Sequence, residues 1–178
     1  MKQIRIEITH VNDSITESIG EALKDFPVRG KRRIFIKPNM SDPNYLPGVV
    51  TTPQLVYEVV SRLRNSAEEV IVGESNGYNY QCWQAFKGTG IETAVKKAGG
   101  SVINLSEDEV VEVKIRDSPV KRLFLPKTLI ESDFIVDMPV MKTHEFKIFS
   151  GALKNLFGCV PDDRRIFMHH QLDEVLFQ

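Results

Sequence analysis

Cysteine is scarce. Cys82 and Cys159 are the two thiols among 178 residues, far apart and in no Cys-x-x-Cys pair. That is too few for a zinc or iron–sulfur centre built from this chain's own cysteines, so no iron–sulfur cluster is expected within it. It also excludes a disulfide scaffold and favours a reducing, cytoplasmic setting. An excess of one charge is missing too: 23 Lys+Arg face 24 Asp+Glu, a formal net charge of -1. Neither a nucleic acid nor an anionic membrane is therefore the expected partner. The basic run Arg29, Lys31, Arg32, Arg33 precedes a strand and reads as a solvated turn. No apolar run approaches the roughly 20 residues of a membrane span. The opening Lys2-Gln3-Ile4-Arg5-Ile6-Glu7 is too charged for the apolar stretch of a signal peptide. No repeat or low-complexity segment is seen. What remains, 42% hydrophobic and 26% charged residues, is the composition of one soluble domain. At this length a folded chain buries roughly 70% of its unfolded surface.

Periodicity orders the elements. Ile4, Ile6 and Ile8 alternate with Arg5 and Glu7, a half-exposed strand. Ile15, Ile19, Ala22, Leu23 and Phe26 share a helical face, with Asn12 or Asp13 as the expected N-cap, Lys24 on the solvent side, and Pro27 and Gly30 ending the helix. Ile34-Phe35-Ile36, Val70-Ile71-Val72 and Phe134-Ile135-Val136 are short continuous apolar runs, as in strands covered on both faces. Between them, Thr51-Thr52-Pro53 opens a helix with the stripe Leu55, Val56, Val59, Val60 and Leu63. Ile91, Ala94, Val95 and Ala98 mark another, stopped by Gly99-Gly100 and followed by strand Val102-Ile103. The alternation predicts an α/β fold: a mostly parallel sheet with helices on both faces. Val111, Val113 and Ile115, a turn at Asp117-Ser118-Pro119, then Leu123 and Leu125, predict an appended antiparallel hairpin. Ser150 to Phe157 reads as a short helix capped by Ser150 and stopped by Gly158. Leu172, Val175 and Leu176 look like a helix cut in mid-stride, so residues 1–178 read as one domain, truncated at its C-terminal end. The last five residues also resemble the remnant of a cleavable tag.

In a parallel α/β sheet, ligands bind at the carboxyl ends of the strands. After the first apolar run comes Lys37-Pro38-Asn39; after the second, Gly73-Glu74-Ser75-Asn76-Gly77; after the third, Asp137 and then Lys142-Thr143-His144. The glycine segment is neither a dinucleotide fingerprint nor a Walker sequence. Gly151, Lys154 and Asn155 open the helix after Ser150, where a helix N-terminus would attract an anion. Each residue has a plainer reading: Lys37 reaching solvent, Glu74 capping a loop, Asp137 bonded to backbone, His144 structural, and Lys154 on the outside with Leu153, Leu156 and Phe157 in the core. Tyr78, Tyr80, Trp83 and Phe86 read as packing rather than pocket lining, and nothing local activates Cys159.

Lys37-Pro38-Asn39-Met40, Thr51-Thr52-Pro53, Val72-Gly73-Glu74-Ser75, Asp137, Lys142-Thr143-His144 and Ser150-Gly151-Ala152-Leu153-Lys154-Asn155-Leu156-Phe157-Gly158 together resemble the DUF362 family, over about residues 33 to 170. The resemblance implies a bacterial or archaeal protein of undefined reaction, sometimes joined to a ferredoxin-like iron–sulfur domain, and usually longer than this chain. It implies a basic residue and then a histidine after the glycine helix, for which Arg164 or Arg165 and His169 or His170 are the candidates.

These features predict a cleft binding an anionic small molecule, a carboxylate or a phosphate. Lys37, Lys142 and Lys154 would hold the anion, and Asn39, Ser75, Gly151 and Asn155 would orient it. Glu74, Asp137 and His144 would transfer protons or form an open divalent metal site. A homo-oligomer is expected, to cover apolar surface meant for missing sequence. The alternative is a non-catalytic module serving a ferredoxin-like domain or partner.

Overall fold

The computed structural model describes residues 9–11, 14–116, 121–143, 148–161, 165 and 168. Along the chain the elements are α1 (Ile15–Leu23), β1 (Lys31–Pro38), α2 (Pro53–Arg64), β2 (Ala67–Glu74), α3 (Cys82–Thr89), α4 (Ile91–Lys97), β3 (Ser101–Asn104), β4 (Val110–Lys114), β5 (Arg122–Pro126), α5 (Lys127–Ile130), β6 (Phe134–Met138), β7 (Lys142–Thr143), β8 (Phe149–Ser150) and α6 (Ala152–Leu156), running into a 3₁₀ turn at Phe157–Cys159.

Strands β3-β2-β1-β6 form one sheet in that order, every pairing parallel. The strands predicted from apolar runs are thus neighbours, as expected. Alternation divides their side chains between two cores. Ile34, Ile36, Val70 and Val72 pack under Val56, Val60, Phe86 and Val95 from α2, α3 and α4. Phe35 and Ile71 face the other way, against Leu105, Leu129 of α5 and Cys159 of the 3₁₀ turn. Each fully buried aliphatic or aromatic side chain contributes about 1.5–3 kcal/mol, so the two layers hold the sheet from both sides.

Three local expectations about caps and stops are corrected. Ser14, not Asn12 or Asp13, caps α1, its hydroxyl accepting the Glu17 amide at 3.3 Å. Ser150 does not cap α6; it lies in β8, and Gly151 holds the cap position. Gly158 does not end a helix but sits inside the 3₁₀ turn. The hairpin β4–β5 forms as predicted, in register from Val110 with Pro126 to Lys114 with Arg122, but as a separate two-stranded sheet. Its attachment runs through α5 and the Lys127 amide, which donates to Glu109 O at 2.7 Å. β6 is also less enclosed than its sequence suggested. Among the described residues it pairs only with β1, and Ile135 is 44% exposed. The predicted strand at Ile4–Ile8, the residues Asn12, Asp13, His144 and Arg164, the hairpin turn Asp117-Ser118-Pro119, and the C-terminal segment from 169 lie outside the described residues.

Candidate functional site

Lys37 occupies the last inward position of β1 before Pro38, and Glu74 is the last residue of β2. Parallel pairing brings their strand ends level. The Lys37 Nζ donates to Glu74 Oε2 at 2.5 Å and to Pro38 O at 2.8 Å, with only 1% of the lysine exposed. The second carboxylate oxygen, Oε1, accepts the Ser75 amide at 3.0 Å. The plain reading of a lysine reaching solvent is therefore excluded. A charge so deeply buried persists only when paired. The lid on this pair is the 3₁₀ turn. A Cβ at Gly158 would lie 3.0 Å from Glu74 Oε1 and 3.1 Å from Lys37 Nζ, and Ser75 Oγ donates to Gly158 O at 2.7 Å. A side chain there would crowd the pair and force it to shift, so glycine suits a turn that presses this close.

Asp137 lies opposite Lys37 in the register of β6. Its Oδ1 accepts from Asn155 Nδ2 at 2.6 Å, whereas Oδ2 is buried with no hydrogen-bond partner. Burial raises its pKa above the usual carboxylate value, against the lowering effects of Asn155 and Lys37. Asn155 also reaches Lys37 O and Pro38 O, at 3.3 and 3.4 Å, so it ties α6 across the ends of β1 and β6.

Asn39 and Lys142 serve the framework. The Asn39 amide donates to Thr51 Oγ1 at 2.7 Å, Thr51 Oγ1 donates to Met138 O at 2.8 Å, and Asn39 Oδ1 accepts the Val140 amide at 3.2 Å. Lys142 Nζ donates to Ser41 Oγ at 2.5 Å and Val49 O at 2.6 Å. Both residues thus pin the 39–51 loop to the segment after β6.

Lys154 differs from the other lysines. It lies over the Phe157 ring, 5.2 Å from the centroid, and among the described residues it forms no ion pair. Burial pushes its pKa down to about 8, helped by the positive charges of Arg165, Lys37 and Lys142 and opposed by Glu74. The plainer reading, with Lys154 outside and Leu153, Leu156 and Phe157 in the core, holds for Phe157 alone: Leu153 is 53% exposed, Leu156 is exposed, Lys154 is half-buried, and Asn155 is the buried member of α6. With five residues, α6 is barely more than one turn, too short to present the anion-attracting terminus expected of it. Gly151 instead admits Phe149, whose Cε1 would lie 2.7 Å from a Cβ there.

Lys37, Asn39, Glu74, Ser75, Asp137, Lys154 and Asn155 therefore gather at one rim. Thr51, Gly158 and Asn76 belong to it as well and were not singled out. The Thr51-Thr52-Pro53 helix signal masked Thr51, and Gly158 read as a helix stop. Of the basic residues after the glycine helix, Arg165 is described. Its guanidinium donates to Asn76 O and, at 3.5 Å, to Gly158 O, clamping the turn over the strand ends. Among the described residues no three His, Cys, Asp or Glu side chains cluster as metal ligands, and Glu74 is committed to Lys37. Cys159 is buried and its thiol is pushed up to about 12 by burial, far from a thiolate nucleophile. Phe86 and Trp83 pack together, Trp83 Nε1 donating to Glu107 at 2.9 Å, while Tyr78 stays exposed.

Among curated proteins, the chain is similar to the Thylakoid-associated protein sll1697 of Synechocystis sp. (strain ATCC 27184 / PCC 6803 / Kazusa), 24% identical over 146 residues. That match covers 77% of this chain and 42% of the relative, so the chain spans less than half of that protein's length. No solved structure matches. Among the described residues no helix is long and apolar enough to cross a membrane. The family model described as Domain of unknown function (DUF362) matches residues 34–178, from the first buried residue of β1 through the whole strand-end cluster, and the chain belongs to that family.

Proposed function

We propose that the chain binds a small anion, a phosphate or a carboxylate, at the carboxyl ends of β1, β2 and β6. One observation carries this reading. Lys154 is a largely desolvated ammonium without a carboxylate partner among the described residues, and Arg165, Lys37 and Lys142 press its pKa down. Such a group is costly in the empty protein, and an anion beside it relieves both desolvation and like-charge repulsion. Arg165 and the edge of Lys142 complete the positive wall. Asp137, with a raised pKa and an unpartnered oxygen, would give or take a proton, and His144, which lies outside the described residues, is the second candidate from the sequence. Glu74 would keep the Lys37 charge in place. A divalent ion on Glu74 would have to displace that ammonium, so anion binding is the better use of this geometry.

The test is a thermal-shift series with sulfate, phosphate and carboxylates. Stabilisation by about 2.7 kcal/mol is expected at a hundredfold excess over the dissociation constant. Lys154→Ala should remove most of it, whereas Lys96→Ala, exposed on α4 and paired with Glu92, should leave it intact. No stabilisation by any anion, or equal loss in both variants, would sink the reading and favour a surface that serves an electron-transfer partner.

The rim beside this cluster carries Met141, Ile148, Phe149 and Leu153, all more than half exposed. These side chains support a homo-oligomer that covers them. Sedimentation of the Ile148→Asp variant as a smaller species than wild type is the expected result, and identical mass for both would refute it.

A further inference from the structure

At the opposite end of the sheet, where β1 and β2 begin, α1 and the turns entering those strands enclose a cavity of about 340 Å³. Its walls carry Lys24, Arg29 and Arg62 beside Phe26, Asn65 and Ser66, and among the described residues no carboxylate lines it. Among the described residues none of the three cations forms an ion pair. The solvated-turn reading of Arg29 and the solvent-face reading of Lys24 are thus incomplete, because both chains border a common cavity with Arg62.

The protein contacts of Arg62 leave part of its guanidinium unsatisfied. Its Nη2 donates to Thr16 O at 2.5 Å. Its guanidinium lies against Gly20, where a Cβ would fall 2.7 Å from Nη2 and 2.9 Å from Cζ. Glycine inside a helix weakens it, and here that loss makes room for the guanidinium. The Arg62 Nε is nevertheless buried without a hydrogen-bond acceptor. A buried donor of a charged group with nothing to bond is costly, so the guanidinium gains from an acceptor in the cavity once it turns toward it.

We propose that this cavity is a second anion site, separate from the strand-end cluster, and that it takes the phosphate group of a small phosphomonoester. Three separate cations and the Asn65 and Ser66 side chains offer more donors than a carboxylate's two oxygens and single charge can use. A phosphate monoester brings three terminal oxygens and up to two charges, which suit an arginine fork. Phe26, 43% exposed at the cavity wall, gives the ester's organic part an apolar surface. The volume is at the small end of the range for ligand pockets.

Phenyl phosphate and inorganic phosphate, titrated into ¹⁵N-labelled protein, test this. Saturable shifts are expected at amides of residues 24–30 and 62–66, with phenyl phosphate binding more tightly. The Lys24→Ala/Arg29→Ala double variant changes two exposed side chains, and its spectrum reports its own folding. It should weaken binding there by about tenfold or more. A control double variant of equal charge, Lys87→Ala/Lys96→Ala, should bind as wild type does, and Lys154→Ala should also keep these shifts while losing the strand-end response. Absence of shifts at these amides in wild type, or equal weakening in both double variants, would overturn the proposal whatever the strand-end cluster does.

Discussion

The Lys37 ammonium lies 2.5 Å from the Glu74 carboxylate, in a wall from which water is almost excluded. A buried pair of this kind contributes little net stability, because both charges lose their hydration, but losing one partner leaves the other stranded. Lys37→Met alone, or Glu74→Leu alone, is expected to cost about 3–5 kcal/mol in urea unfolding. The double variant should cost clearly less than the sum. A strictly additive double variant would mean that the two charges do not hold each other.

Thr51 joins three segments through one hydroxyl, accepting from Asn39 and donating to Met138. Thr51→Val keeps the shape and removes both bonds, leaving a buried amide and a buried carbonyl unsatisfied. A loss of about 1–3 kcal/mol is expected. A stability within error of wild type would show that the 39–51 loop is held elsewhere.

Asp137 predicts a pH dependence whose sign follows from burial. Desolvation raises its folded pKa above the ordinary 3.8, so the folded protein holds this proton more tightly than the unfolded chain. Its contribution to stability is present below the unfolded value and is lost as pH rises through the folded one. Asp137→Asn keeps the acceptor for Asn155 and removes the titration. The variant's Tm advantage over wild type should therefore grow as pH rises above about 4. A difference independent of pH would refute the raised pKa.

Lys154 predicts a proton signature of binding. Its pKa is pushed down to about 8 by burial and by neighbouring cations. At about pH 8.5 a fraction of the free protein then carries neutral Lys154, and a bound anion favours the charged form. Sulfate, which does not titrate there, should bind with proton uptake. Calorimetry in two buffers of different ionisation enthalpy measures it, and Lys154→Met should abolish it. Sulfate binding without uptake would place the anion away from Lys154.

The parallel sheet was legible because its causes are local. Ile34-Phe35-Ile36 and Val70-Ile71-Val72 have no polar position to turn toward water, so they must be covered on both faces. The stripe Val56, Val59, Val60 and Leu63, opened by Thr52 and Pro53, can close a core only as a helix. Strand ends are where such folds place polar groups, which is why Lys37, Glu74 and Asp137 could be grouped from the sequence, with Asn155 drawn from the helix that follows. What each of them does there was decided by tertiary structure alone. Whether Lys37 meets a ligand, the solvent or Glu74 depends on where β2 ends and how closely the Gly158 turn descends. Lys154 is left without a carboxylate because Lys37 already occupies Glu74 and Asn155 turns Asp137 aside. No spacing along the chain encodes that competition, because a charge takes its partner from whatever the fold brings within a few ångströms. Gly20 and Arg62, and the cavity they border, were silent for the same reason: a glycine in a helix and an arginine in another acquire meaning only when the two helices pack.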